Sequence, residues 1–244
     1  MTSLCNEQVF AREEVYFGSA RDFNDPFDCH PRLKTKFTGK EISKYSAYLQ
    51  KKYLGDQPHS GRKQKAAEIK ALMKNRRELE RRYFERIEDF GLYCLSETCE
   101  NILMWSHYAD NHRGFCLEFG GREPQSSPFQ AVLPIKYQED RPIVDITVTA
   151  DDEDTPKIVQ LGLLTKSLDW KYEKEWRAWD GERPGPRVLK AGSLSAVILG
   201  ARITPEDREK LFYWVGQHRL PLEIREARLS SDHFRLKIVT CKTA

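Results

Sequence analysis

Hydrophobic positions recur along the chain with two different periods. Ile69, Leu72, Met73, Leu79, Tyr83 and Ile87 fall close to one face at helical spacing, which predicts a long helix over 63–89. Residues 41–54 fit a preceding helix, and Gly-Asp-Gln-Pro-His-Ser-Gly-Arg at 55–62 reads as a linker-like break. Shorter apolar runs predict strands at 13–17, 91–96, 115–119, 131–137, 170–179, 187–191 and 195–200, with 222–227 and 234–240 closing the chain as a hairpin. A helix over 101–110 takes Asn101 or Thr98 as its N-cap and stops at Asn111–Gly114, where Asn and Gly tolerate the left-handed conformation. Thr204 caps a further helix running to about Gln217, with Pro205 at its first position. Residues 157–168 fit a short amphipathic helix behind the acidic stretch 151–156. Helices and strands mix rather than alternate. The expected fold class is therefore α+β: one domain over 1–244 with a mixed, mostly antiparallel sheet and a helical segment inserted at about 40–90.

Composition narrows the classes. Over 244 residues, 39% hydrophobic and 11% aromatic content supplies a core and excludes wholesale disorder. A net charge of +3 excludes a globally basic nucleic-acid coat, although not a local patch. Such a patch is present at 51–90, where twelve Lys or Arg face seven Asp or Glu. It reads either as a solvated face with i,i+4 pairs such as Glu78–Arg82 or as a nucleic-acid contact. No apolar run approaches the roughly 18 residues of a bilayer span. Met1–Arg12 lacks signal-peptide architecture, and the six cysteines form no CxxC. Free thiols in a cytoplasmic protein are expected, with a disulfide framework as the alternative, and no membrane partner is expected.

The phosphate-binding GxGxxG and GxxxxGK[ST], the GxSxG elbow and HExxH are all absent from the sequence. His107 and His112 stand five apart across an expected helix end, a poor spacing for a metal pair, and no metal is expected. Trp105-Ser-His-Tyr108 reads as a helix docked through Trp105 and Tyr108, or as a pocket wall on which an aromatic stacks against a base or nicotinamide.

Three of the five tryptophans fall within Trp170–Trp179. As a strand, this stretch turns Trp170, Tyr172, Lys174 and Trp176 one way and Glu173, Glu175 and Arg177 the other. Two carboxylates so spaced lie roughly 6.5–7 Å apart. They suit acid–base work or stabilisation of an oxocarbenium ion, and equally an ion-pair ladder with Arg177. Asn24-Asp25-Pro26 is turn chemistry between Phe23 and Phe27, read as apolar anchors. A metal-dependent nuclease built on Asp25, Asp28 and Glu175 is a further reading, which requires those groups to converge.

Four blocks resemble the bacterial domain-of-unknown-function family numbered 2971: Val15–Asp28, Leu92–Ser96, Met104–Gly114 and Trp170–Arg177. The similarity spans about residues 13–240, and the family label assigns no activity. More distantly, Tyr16-Phe17-Gly18-Ser19, Glu173-Lys174-Glu175 and the Val197–Gly200 strand with its Thr204-led helix resemble ADP-ribosyltransferase-like folds. That resemblance implies NAD as co-substrate, Glu175 as the key carboxylate and Glu173 as an assistant or activator of an acceptor. Substrate contacts are then expected from Tyr16, Ser19, Asn24, Asp25, Ser96, Trp105, His107, Tyr108 and Arg177. It also implies a nucleic-acid or protein acceptor, and a role in phage defence or as a toxin. Related chains carry a further strand before the Val15-Tyr16-Phe17 equivalent, where this sequence has a stretch not obviously of that kind. A non-catalytic module that binds nucleic acid or protein is the alternative class.

Overall fold

The computed structural model describes residues 7–53, 59–120, 129, 132–147, 160–179 and 181–241. In chain order its first elements are α1 (Gln8–Ala11), β1 (Glu14–Phe17), β2 (Arg32–Leu33), α2 (Gly39–Tyr53), α3 (His59–Lys74), α4 (Arg76–Glu88) and β3 (Leu92–Ser96). Then come α5 (Ile102–Tyr108), β4 (Phe115–Phe119), β5 (Val132–Pro134), β6 (Lys136–Gln138), β7 (Ile143–Val144) and β8 (Thr165–Ser167). The chain closes with β9 (Glu175–Trp179), β10 (Gly185–Val188), β11 (Leu194–Leu199), α6 (Pro205–Gln217), β12 (Glu223–Leu229) and β13 (Leu236–Thr240). The fold is mixed α+β, and its strand pairs are mostly antiparallel.

The chain divides into two compact units. The first comprises residues 1–18, 91–134 and 171–244. Its largest sheet has the order β13-β12-β11-β4. The apolar run Ala196-Val-Ile-Leu199 on β11 is fully buried, as a strand with neighbours on both edges and covered faces should be. Val197 and Leu199 enter one cluster with Phe10, Phe17, Phe115, Leu211 and Trp214. Ile198 points to another, with Trp105, Cys116, Ala227 and Leu236. β11, α6 and β12 form a parallel crossover. Its helix is set by the expected cap: Thr204 Oγ1 accepts from Asp207 N–H at 3.1 Å, with Pro205 following. A second sheet has the order β3-β9-β5, and β1 pairs antiparallel with β10.

The second unit comprises residues 19–90 and 135–170. Ile42, Ile69 and Met73 are the buried residues of its helical cluster, with Phe37, Tyr45, Leu49 and Ile146 packed against them. The short parallel pairs β2-β7 and β6-β8 complete it.

Several elements differ from the periodicity-based expectation. The helix expected over 63–89 is two helices: Asn75 leaves the helical conformation (φ −99°, ψ 93°) and its side chain accepts from Glu78 N–H at 3.2 Å. Asn competes for backbone groups and so favours a cap over a helix interior. The expected break at 55–62 ends early, since α3 begins at His59. The strand expected at 131–137 is two, β5 pairing with β9 and β6 with β8. Residues 160–163 are helical but the chain is extended from Thr165, so the helix expected over 157–168 stops short. Residues 151–156 lie outside the described residues. The strand expected over 170–179 begins only at Glu175, because Leu168–Glu173 is a 3₁₀ helix and Lys174 takes a left-handed φ of 46°. Phe27 is 62% exposed and does not anchor its turn as expected.

Candidate functional site

The first unit brings five of the expected residues together around the start of β9. Ser96 ends β3 opposite Glu175 in the antiparallel register. Its hydroxyl is 2.6 Å from the Glu173 carbonyl oxygen, a donation that ties the 3₁₀ turn to the sheet. Lys174 then reverses the chain in its left-handed conformation, and Glu97 N–H donates to the Lys174 carbonyl at 3.2 Å. Glu173 and Glu175 are therefore not alternate residues of one strand, but both side chains are buried, at 2% and 5% exposure.

Each glutamate has a different partner. Tyr108, at the end of α5, donates its hydroxyl to Glu173 Oε1 at 2.7 Å. Arg177, fully buried, donates to Glu175 Oε1 from Nε at 2.9 Å and from Nη2 at 2.6 Å. Glu175 and Arg177 share a face because they are two apart on a strand. The ladder expected between them is thus present, but it is an interior ion pair.

α5 is set by Asn101, whose Oδ1 accepts from Leu103 N–H at 2.9 Å and Met104 N–H at 3.2 Å. Its Nδ2 donates to the Tyr172 carbonyl at 3.3 Å, fastening the helix to the glutamate turn. Trp105 is fully buried and donates Nε1–H to the Cys99 carbonyl at 2.7 Å. It is the docking residue of the helix, so the pocket-wall reading fails for Trp105. His107 is exposed and edge-on to Tyr108, with centroids 6.1 Å apart.

The remaining expected residues lie elsewhere in their own units. Tyr16 is 62% exposed on β1. In the second unit Ser19 donates to the Glu88 carbonyl at 2.9 Å and accepts from Arg21 N–H at 3.2 Å. Asn24 is exposed, and Asp25 Oδ1 accepts from Phe27 N–H at 2.9 Å as its turn chemistry requires. Asp28 is buried 3.5 Å from the Lys166 ammonium. Among the described residues no group of three or more His, Cys, Asp or Glu could hold a metal ion.

Sequence reasoning missed two arrangements. The first is Ser106 Oγ at 3.1 Å from His112 Nε2. Burial, and then the nearby Arg202 charge, lower the affinity of His112 for a proton. A run of left-handed residues from Asp110 to His112 carries that ring back to the helix. The second is buried Lys166. Nothing in the sequence marks this lysine as inward, since it follows the consecutively buried Leu163 and Leu164.

The i,i+4 pairing expected on the basic segment is present on its last helix. On α4, Arg81 pairs with Glu78 at 2.7 Å and Glu85 at 2.5 Å, Arg82 with Glu78 at 2.7 Å, and Arg76 with Glu80 at 3.0 Å.

Residues 104–178, which run from α5 to β9 and carry both glutamates, match the family described as Protein of unknown function (DUF2971). The resemblance of the chain to that family is shown over this segment. No curated protein and no solved structure matches. No helix among the described residues is long and apolar enough to cross a membrane.

Proposed function

We propose that the chain is an enzyme of the ADP-ribosyltransferase-like kind, breaking the bond between nicotinamide and ribose in NAD. One observation carries this reading: two carboxylates, at 2% and 5% exposure, flank the left-handed Lys174 at the head of β9. Loss of nicotinamide develops positive charge on the ribose, and a pre-oriented carboxylate lowers that barrier most where water is excluded. Glu175 is assigned to face the sugar, with Arg177 fixing its orientation; a Glu175–Arg177 pair that stays closed to substrate, at 5% and 0% exposure, would overturn this assignment. Glu173, bonded to the Tyr108 hydroxyl, is assigned to the acceptor. Two carboxylates with different partners are suited to different roles. Tyr108 and His107 take the aromatic contact that buried Trp105 cannot supply. A nucleic-acid or protein acceptor would fix whether the activity serves phage defence or a toxin.

The test is nicotinamide release from NAD, with and without DNA, RNA and protein acceptors. Wild type should release it, and Glu175→Gln should lower the rate by about 100-fold or more, the scale for removing one transition-state contact. No release by the wild type under any of these conditions would sink the reading.

A further inference from the structure

The second unit holds a cavity of about 270 Å³ that the proposed chemistry does not use. We propose that it binds a neutral nucleobase or nucleoside. Phe27, His30, Arg141, Leu161, Lys166 and Asp169 line it. Its volume lies just under the range of drug-sized sites, which suits a compound of one or two rings and is too small for a dinucleotide.

The walls suit a flat ring. Phe27 sits at the lining with 62% of its surface exposed, so its ring is accessible to a ligand. The Arg141 guanidinium stands 5.6 Å from the centre of that ring. Arg141 is itself held by donating Nε–H to the His30 carbonyl at 2.8 Å. The His30 ring is stacked on Phe84 with centroids 4.4 Å apart and an interplanar angle of 13°. Both aromatic lining groups are thus positioned by contacts of their own.

The polar groups decide the charge of the ligand. His30 Nδ1 is 3.3 Å from the Asp28 carbonyl. When that nitrogen donates, Nε2 of the neutral ring is an acceptor. Glu139, Asp140 and Asp169 add three carboxylates to the lining. The Lys166 ammonium is buried with Asp28 at 3.5 Å and lies 5.0 Å from the Trp170 ring centre. A phosphate would therefore meet more carboxylate than cation. A ring with amino, ring N–H and sugar hydroxyl donors meets acceptors instead.

Calorimetric titration of the full chain with adenosine, cytidine, AMP and NAD tests this. At least one nucleoside should bind, and AMP should bind no more tightly than adenosine. Phe27→Ala should weaken binding by about tenfold, the scale of one lost base–aromatic stack. Leu161→Trp, which narrows the cavity from a position already 38% exposed, should abolish binding with the thermal melt unchanged. Absence of binding by both nucleosides at millimolar concentration would overturn the proposal. So would binding unaltered in both variants, or AMP binding more tightly than adenosine. None of these outcomes depends on nicotinamide release, so the two proposals fail separately.

Discussion

Arg177 is a guanidinium at 0% exposure, and a charge so buried persists only with a partner as buried as itself. Glu175, at 5%, is that partner. Arg177→Met should lower stability by about 3–5 kcal/mol, the cost of leaving one member of a buried pair unmatched. The measurement is the urea midpoint at unchanged m-value. Glu175→Leu combined with Arg177→Met should recover part of the loss, since both charges of the pair are then removed. A double variant no more stable than the single one would mean that the pair does not hold Arg177 inside. Tyr108→Phe is the corresponding test at Glu173. Removing that hydroxyl should cost about 1 kcal/mol, the net contribution of one hydrogen bond. At this scale the sequence was informative about chemistry and less so about geometry. Period-two spacing correctly paired Glu175 with Arg177. It could not show that Glu173 arrives on a 3₁₀ turn, because the left-handed residue between them is a lysine and carries no conformational signature.

The helix ends follow the same logic with local groups. At the start of α2, Thr38 N–H donates to Glu41 Oε2 at 2.7 Å, and Glu41 N–H donates to Thr38 Oγ1 at 3.3 Å, a reciprocal capping box. The Lys34 ammonium beside Glu41, joined by the Thr38 amide and hydroxyl, holds that carboxyl at about 2, below its ordinary 4.5. Its folded-state value is depressed, so its contribution is complete above about pH 4.5 and is lost as pH falls towards 2. Glu41→Gln should therefore flatten the melting temperature against pH across that window, as read by circular dichroism. A variant curve parallel to the wild-type curve would exclude the effect. Asn75→Ala should cost about 1 kcal/mol by removing the α4 cap. An increase in stability would mean that a continuous helix, the reading given by the apolar periodicity, is the better state. That periodicity identified the inward face correctly, since Ile69, Met73, Leu79 and Ile87 are all buried. It could not register the break, because α3 and α4 each keep an inward stripe on either side of Asn75. The α6 boundary was legible because Thr204 precedes it with cap chemistry and Pro205 follows, and the α5 boundary was legible to within the choice between Thr98 and Asn101, of which Asn101 is the cap.

For the whole molecule, the two units differ in how their interiors are made. The first has β11 with four consecutive residues at 0% exposure, held between β12 and β4 and feeding two apolar clusters. Gly200 follows it with the 112–114 backbone so close that an added Cβ would stand 2.1 Å from the His112 carbonyl oxygen. The second unit's helical cluster rests on three buried residues, Ile42, Ile69 and Met73, and most of α3 faces solvent. Opening free energy follows buried apolar contact, so the units should not exchange their amide hydrogens together. The slowest amides should fall in β11 and the pairing residues of β4 and β12, and those of α2 and α3 should exchange several orders of magnitude faster. Neither unit is one continuous stretch of chain, so a truncation cannot isolate either for this comparison. Hydrogen exchange on the intact protein, resolved by peptide, can. Protection in α2 and α3 equal to that of β11 would mean that the helical segment unfolds only with the whole chain, and that its stability comes from more than its own small cluster.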